Sequence, residues 1–330
     1  EYSPEYPSQS EDVSYGLGPG DVLMYFSPAT PGATNTGGVV GTVGDTLLMP
    51  SSGVYTNPVV QVSATNETAG STIYYTTNCS IPTASDTPYS GPVTFSNSVV
   101  LRARGTKPSN LPGDIEAYTY VFLQSVLNQP ASPADFPTVW TNRSGTPTAA
   151  DYAMDPVVVA DPLITNALRS LPAVSLVTAK SNLFNNTIGI YVNPTEQGVA
   201  WERPGTLEWI TTNNTSLFKV DCGIRIQGGY FRQMDGTRKK SFRILFKSIY
   251  GPSKLRYDLF DDSSDAEAVD EFDTIDFRGG ANDAWSAWAG GTGLAKRQYV
   301  VDEFVRRSHL ATGQPSAHGG FAHLYLDGLY

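Results

Sequence analysis

VDCGIRIQGGYFRQMDGTRKKSFRILF, residues 220–246, is the stretch that decides the fold of the C-terminal part of this chain. Apolar and polar residues alternate up to Ile226, the pair Gly228-Gly229 interrupts the alternation, and a second alternating run begins at Phe242. A polar loop around Asp235-Gly236 joins the two runs. Period-two alternation on both sides of a Gly-rich break predicts a β-hairpin.

Positive charge gathers on or beside these two predicted strands, at Arg225, Lys239, Lys240, Arg243 and Lys247. The whole chain carries a formal charge of −10, so a local cationic cluster suggests an anionic ligand, and phosphate is the usual one. The alternative is a solvated, twisted hairpin whose cations balance nearby carboxylates. Charge alone leaves both interpretations open.

Composition narrows the class of protein. A chain of 330 residues can form two or three domains, and its 16% of charged residues is low against about 25% for an average soluble domain. The 31 Gly and 23 Pro favour β-structure with many turns, a mixture common in secreted proteins. The acidic balance argues against a nucleic acid partner. Without an apolar run near 20 residues, we expect no transmembrane segment.

Two cysteines, Cys79 and Cys222, lie far apart in the sequence. They form either one long-range disulfide or two free thiols, and spacing does not decide between these. Candidate N-glycosylation sequons of the N-x-S/T type begin at Asn66, Asn78, Asn142, Asn185, Asn213 and Asn214.

Both ends of the sequence predict a fragment. No initiator Met or signal peptide precedes Glu1, so we expect the chain to begin inside a longer or processed protein. Residues 322–326 alternate like a strand, and Asp327-Gly328 is a hairpin turn signal. Leu329-Tyr330 would then begin a return strand that the sequence does not complete.

Short alternating runs separated by turn residues fill residues 49–122 and predict a β-sandwich. They are residues 59–62, 72–76, 93–95, 99–103 and 117–122. Its tyrosines suit core and cross-strand packing, and the alternative is an exposed aromatic platform for a polysaccharide.

Four blocks within this segment carry a resemblance to a known family: residues 73–83, 89–92, 100–103 and 118–120. They resemble the immunoglobulin-like module at the C-terminus of chitobiases and β-hexosaminidases. Upstream, residues 11–16 and 25–35 are similar to the end of a lamin-tail domain, which implies that residues 1–48 are the end of such a domain plus a linker.

Residues 123–170 are rich in Pro and Ala, and one short helix is expected at Ile164–Leu168. This segment forms either a linker or a segment that wraps the next domain.

Residues 171–330 predict an α+β domain, because a series of strands precedes one long helix. The expected strands are 174–177, 188–192, 205–211, 255–260 and 272–278, and the helix is 298–310. On that helix, Asp302/Arg306 and Glu303/Arg307 are i,i+4 pairs opposite an apolar face.

Several ordered blocks of this last domain resemble the N-terminal part of the spore-coat protein H (CotH) family of secreted, atypical protein kinases. They are residues 198–204, 223–229, 239–246, 250–255, 271–275, 278, 313–318 and 323–330. The resemblance implies ATP as cofactor, with Mg²⁺ or Mn²⁺, and phosphorylation of Ser/Thr hydroxyls on an extracellular protein. It also implies that Lys239 contacts phosphate, that Gly228 and Gly229 form the covering turn, and that Arg225 and Arg243 support them.

The resemblance places the carboxylates that hold the metal beyond Tyr330, so we expect the chain as given to be catalytically incomplete and name no catalytic residue. An acidic run at residues 261–273 offers three candidate Ca²⁺ ligands, Asp261, Asp265 and Asp270. It departs from the EF-hand loop, because Ala266 stands where the glycine belongs, and a solvated loop is the alternative. The three histidines match no zinc spacing.

Three functional hypotheses follow for this extracellular or cell-surface protein. The first is part of a CotH-like kinase, and the second is a structural subunit that self-assembles into a fibre, sheath or coat without enzymatic activity. The third is a polysaccharide-binding module, which rests on analogy with chitin-degrading enzymes.

Overall fold

The computed structural model describes residues 12–141, 147–233, 239–260, 268–280 and 298–330. Their contacts group into two units. The first comprises the described residues up to Ser52 together with Asn57–Tyr120, and the second comprises Gly53–Thr56 and the described residues from Val121 onward. The described chain is mostly β-structure with few helices. Within it, no helix has the length and apolar character that a membrane span requires.

Short strands make up the N-terminal part of the chain. They are β1 (Ser14–Leu17), β2 (Leu23–Phe26), β3 (Gly41–Thr42), β4 (Thr46–Met49), β5 (Gly53–Tyr55), β6 (Val60–Asn66), β7 (Thr72–Thr76), β8 (Thr87–Pro88), β9 (Val93–Phe95), β10 (Val99–Thr106), β11 (Asn110–Leu111) and β12 (Glu116–Phe122). In the first unit, β4-β6-β9 form one antiparallel sheet, and β12-β10-β7-β8 are neighbours in a second. Buried apolar side chains such as Leu48, Val62, Ile73 and Leu101 come from strands of both sheets.

This arrangement agrees with the β-rich sandwich that the alternation predicts. The predicted bounds of β7 and β9 are those of the structure, whereas β10 extends three residues further, to Thr106. Upstream of these sheets, the chain is extended at Ser14–Leu17. This short segment pairs with β2, and the rings of Tyr15 and Tyr25 lie 4.7 Å apart.

The second unit continues with β13 (Val139–Thr141), β14 (Pro147–Ala149), β15 (Ala173–Val177), β16 (Arg203–Ile210), β17 (Ser216–Gln227), β18 (Ser241–Leu245), β19 (Leu255–Arg256), β20 (Glu271–Phe272), β21 (Thr274–Phe277) and β22 (His323–Leu326). The helices are α1 (Leu123–Leu127), α2 (Pro156–Val159), α3 (Ile164–Ser170), α4 (Lys180–Phe184) and α5 (Val300–Ala311). Short 3-10 turns occupy Pro19–Asp21, Val199–Trp201 and Tyr230–Arg232.

One six-stranded sheet organises this unit, in the order β21-β18-β17-β16-β15-β22. Adjacent strands are antiparallel except for β22, which runs parallel to β15. The predicted hairpin of residues 220–246 is confirmed as β17 and β18, with Ile224 opposite Ile244.

The two faces of this sheet carry different side chains. The first face holds the main core, with Leu176, Leu207, Ile224 and Ile244 completely buried. The second face holds a smaller cluster in which Val121, Leu123 and Val126 pack on Ala173, Ile210 and Tyr325, together with Leu168 of α3. Residues 123–170 therefore lie against the sheet on both faces, since Trp140 belongs to the main core.

The strand predicted at residues 188–192 is wrong: the segment forms turns, and the amides of Ile190 and Tyr191 donate to carbonyls of residues 182 and 183 at 2.9 Å. Ile190 and Tyr191 of this segment are buried in the core whereas Ile188 is exposed, and the apolar pattern alone does not distinguish such a turn from a strand.

The predicted helix forms as α5, and both i,i+4 ion pairs are confirmed, at 3.4 Å for Asp302–Arg306 and 2.7 Å for Glu303–Arg307. The orientation of this helix is the unexpected feature. Glu303 is buried, whereas Phe304 on the apolar face is 71% exposed.

Candidate functional site

The cationic side chains of the hairpin lie on the second face of the six-stranded sheet. Ile224 and Ile226 of β17 point into the main core, so Arg225 between them points the other way. In the register of β17 and β18, Arg225 is directly opposite Arg243, and in the register of β18 and β21, Arg243 is directly opposite Asp276. Two arginines thus stand side by side across neighbouring strands, an arrangement that is unfavourable without a counter-charge.

Carboxylates flank this arginine pair on both sides. Arg243 forms a two-pronged interaction with Asp276, with Nε–Oδ1 at 2.8 Å and Nη2–Oδ2 at 3.0 Å. On the other side, Arg225 Nη1 lies 3.5 Å from Oε1 of Glu202, the residue immediately before β16. The row Glu202, Arg225, Arg243, Asp276 therefore runs from the residue before β16 across β17, β18 and β21, with charges in the order −, +, +, −.

Glu202 is the centre of a second set of contacts. Its side chain has no exposed surface, and Lys247 Nζ donates to both of its carboxylate oxygens, at 2.9 Å and 2.7 Å. Tyr250 Oη also donates to Glu202, at 3.2 Å. Burial, together with the negative charge of Glu202, raises the pKa of Tyr250 to about 12, so this hydroxyl remains a donor at neutral pH.

A further arginine, which the sequence did not single out, adds charge to this cluster. Arg232 lies in the 3-10 turn that follows Gly228-Gly229 and is buried. It donates through Nη2 to the Ile226 carbonyl and through Nη1 to the Glu196 carbonyl, the latter at 2.8 Å. Among the described residues, its Nε has no hydrogen-bond partner. Burial, and then the positive charge of Arg225, lower the pKa of Arg232.

The glycine pair shapes the backbone beside these arginines. Gly228 has φ +111°, a conformation that strains any residue with a Cβ. At Gly229 an added Cβ would meet no atom within 4 Å, so the space next to this turn is open on that side. The sequence thus placed Gly228, Gly229, Arg225 and Arg243 in one region, and the structure brings them together at the end of β17 and on its neighbour.

Lys239 has a different set of neighbours. Its ammonium lies 5.9 Å from the centre of the Tyr330 ring, and burial of the amine lowers its pKa although much of the residue is exposed. Tyr330 Oη in turn lies 3.0 Å from Nδ1 of His323. Lys240 is buried in the loop that leads into β18.

The remaining predicted positions fall outside this cluster. Cys79 and Cys222 are free thiols, each buried within its own unit, so the disulfide is not formed. Asp261 and Asp265 lie outside the described residues, and Asp270 is exposed. In the described part of the chain, no group of three or more His, Cys, Asp or Glu side chains could hold a metal ion.

The asparagines of the sequons differ in their exposure and in whether their side-chain amides are already hydrogen-bonded. Asn66 Nδ2 donates to the Gly44 and Asp45 carbonyls and to Thr46 Oγ1, so the atom that a glycan would take is already used. Asn214 is half-buried and accepts from the Val54 amide at 2.5 Å. Asn142 lies outside the described residues, whereas Asn78, Asn185 and Asn213 are exposed.

Comparison with known families concerns the first unit. Residues 50–116 match the family model of the chitobiase/beta-hexosaminidase C-terminal domain. This chitobiase-type module covers about one fifth of the chain, and the match agrees with its β-sandwich fold. The comparison with curated proteins finds no match.

The aromatic side chains of the chitobiase-type module contribute to its packing. Phe95 stacks on the completely buried Tyr120, which follows the matched residues, with ring centres 6.2 Å apart, and Tyr75 and Tyr89 line a small apolar cavity. Among the described residues of this module, every Tyr and Phe is buried or half-buried. They do not form an exposed aromatic platform of the kind that stacks on sugars.

Proposed function

We propose that the second unit binds the phosphate groups of a nucleotide, as part of a CotH-like protein kinase in a multidomain extracellular protein. One observation carries this proposal: Arg225 and Arg243 stand in direct cross-strand register on one face of the sheet, beside a third arginine, Arg232. Within the described residues, three cations (Arg225, Arg243 and Lys247) share two carboxylates, those of Glu202 and Asp276, so these five groups carry a net positive charge in a chain of net charge −10.

Access to the arginine pair supports this proposal. The hydrophobic cluster on the second face takes its strand residues from β15, β16 and β22. Among the described residues it takes none from β17, β18 or β21, and the side chains of Arg225 and Arg243 are 21% and 32% exposed. Guanidinium groups donate in a planar fork that matches phosphate oxygens. A phosphate placed here would also relieve the repulsion between the two arginines.

The described residues do not form a site for Mg²⁺ or Mn²⁺. We therefore propose that they bind and orient the phosphates, and we assign no step of phosphoryl transfer to them. The activity that this proposal implies is transfer of the ATP γ-phosphoryl group to Ser/Thr hydroxyls of an extracellular protein, with Mg²⁺ or Mn²⁺ bound to the triphosphate.

Equilibrium binding tests the proposal. Mn²⁺-ATP is titrated into the 330-residue chain and into the variants Arg225→Gln and Arg243→Gln, with Arg256→Gln as control. Arg256 also pairs with a carboxylate, that of Glu271, but lies on β19. We expect each site variant to weaken binding about tenfold, the loss that about 1.4 kcal/mol produces. Absence of nucleotide binding by the unsubstituted chain contradicts the proposal.

A second candidate function is a structural subunit of an extracellular fibre, sheath or coat. It is favoured by the ion pairs themselves, because Arg225, Arg243 and Lys247 each contact a carboxylate within the unit. On this interpretation the row of charges only stabilises the sheet. Electron microscopy of the purified chain over a range of concentrations separates the two, since a subunit of this kind forms polymers whether or not ATP is present.

A further inference from the structure

The lysine that contacts the phosphates can be assigned from the geometry around Glu202. We propose that this residue is Lys247, rather than Lys239, and that Glu202 positions it. This assignment rests on the proposed function, and it names the residues through which the site would hold a nucleotide.

Lys247 lies on the correct face of the sheet. It follows β18 by two residues and has the same alternation as Arg243, so it points away from the main core. Its contact with Glu202 links it to Arg225, which lies 3.5 Å from the same carboxylate. The ammonium is therefore near Arg225, one member of the arginine pair.

The donors of Lys247 are only partly used. An ammonium group has three N–H donors, and two of them are accounted for by the carboxylate oxygens of Glu202, at 2.9 Å and 2.7 Å. The Lys247 side chain is 37% exposed, whereas that of Glu202 is fully enclosed. Glu202 thus holds the lysine in position, and in the described part of the chain the ammonium donates only to this carboxylate.

This pairing has the properties that a phosphate-binding lysine needs. In protein kinases a strand lysine that contacts the phosphates is held by an ion pair with a glutamate. Here Glu202 is itself fixed, because Arg225 and Tyr250 contact it as well. A flexible lysine held in one position loses little entropy when it binds an anion, and this increases affinity.

Lys239 has another environment. Its ammonium lies over the Tyr330 ring, and its positive charge contributes to the lowered pKa of His323. These contacts join the loop before β18 to the segment around β22. We therefore assign Lys239 to packing of that segment and not to the phosphates.

Binding of Mn²⁺-ATP to single variants tests the assignment. Lys247→Gln removes the proposed phosphate contact, Glu202→Gln removes its positioning partner, and Lys239→Gln tests the competing lysine. Lys254→Gln is a matched control, because the Lys254 side chain is also 37% exposed and also pairs with a carboxylate, that of Glu271. A melting curve for each variant reports whether it is folded.

We expect Lys247→Gln and Glu202→Gln to weaken ATP binding by about tenfold or more, and Lys239→Gln and Lys254→Gln to change it less than about threefold. Lys247→Arg keeps the charge and should recover most of the affinity. A loss of affinity in Lys239→Gln with no loss in Lys247→Gln overturns the assignment and leaves the proposed function intact. If the unsubstituted chain binds no ATP, the proposed function itself fails, and the assignment fails with it.

Discussion

Lys247 Nζ contacts both carboxylate oxygens of Glu202, at 2.9 Å and 2.7 Å, and the glutamate side chain is entirely excluded from solvent. A buried carboxylate needs compensation for the water it has lost. In this unit the compensation comes from one ammonium, one guanidinium and one phenol. These contacts therefore stabilise the sheet at the start of β16.

Glu202→Gln should lower the free energy of unfolding by about 2–3 kcal/mol, because hydrogen bonds to charged groups are lost and two cations are left close together. Glu271→Gln is the matched control. Glu271 also pairs with a lysine and an arginine, but its side chain is 38% exposed. We expect its loss to be at most about 1 kcal/mol. Urea unfolding of both variants measures the difference, and equal losses would contradict the importance of burial at Glu202.

Gly205→Ala should destabilise the second unit by about 1–3 kcal/mol, the usual cost of overpacking a core. A Cβ at Gly205 would lie 2.3 Å from Ile224 Cδ1 and 2.8 Å from the Val177 carbonyl oxygen. The Ile224 side chain is itself buried, and the carbonyl belongs to a strand, so neither can move away easily. In Gly320→Ala the new Cβ meets no atom within 4 Å. Thermal melting of that variant should show no loss, and a similar loss in both variants would refute the steric explanation.

His323 should make the folded state less stable in mild acid. Burial is the main cause of its lowered pKa, and the charge of Lys239 adds to it, while a hydrogen bond to the Ala167 carbonyl opposes them. In the unfolded chain the His323 imidazole binds a proton near pH 6.5, whereas in the folded chain it does so only at lower pH. The contribution of His323 to the free energy of unfolding is therefore full above pH 6.5, and it decreases as the pH falls toward the lowered pKa.

Unfolding of the chain and of His323→Gln between pH 5 and pH 7.5 measures this contribution. The stability difference between the two proteins should shrink as the pH decreases. His309→Gln serves as control, since His309 is exposed in the last turn of α5. A difference that is constant over this range would show that His323 does not contribute to the pH dependence.

The two thiols should be unreactive in the folded protein. Cys79 and Cys222 are both buried, and burial raises the pKa of Cys222, which suppresses the reactive thiolate. A thiol reagent such as Ellman's reagent should modify neither residue under native conditions. It should modify both after unfolding without a reductant. A yield of no thiols after unfolding would instead demonstrate a disulfide.

The sequence predicted most strands, because alternation identifies any strand with one buried face. It located the hairpin of β17 and β18 and the bounds of β7 and β9. It failed at residues 188–192, which form turns that bury Ile190 and Tyr191.

Charge clustering in the sequence located the arginine pair but not its carboxylate partners, Glu202 and Asp276. Glu202 precedes Arg225 by more than twenty residues, and only the register of β16 and β17 brings the two together. The same limit applies to Lys239, because its partner Tyr330 lies far away in the sequence. The orientation of α5 was also beyond sequence reasoning, because an amphipathic pattern normally predicts that the apolar face is the buried one.

The parallel pairing of β22 with β15 has a kinetic consequence. The Thr178 amide donates to Asp327 Oδ1 across 149 residues of chain, and the edge of the sheet closes only when these distant segments meet. Contacts at such separation form slowly, since a long loop must be ordered before they contribute any stability. During synthesis, β15 to β18 can pair with their neighbours as they emerge, whereas the edge beside β15 stays open until residues 323–327 arrive. Tyr325 is completely buried in the second cluster, so its burial reports the docking of β22 beside β15.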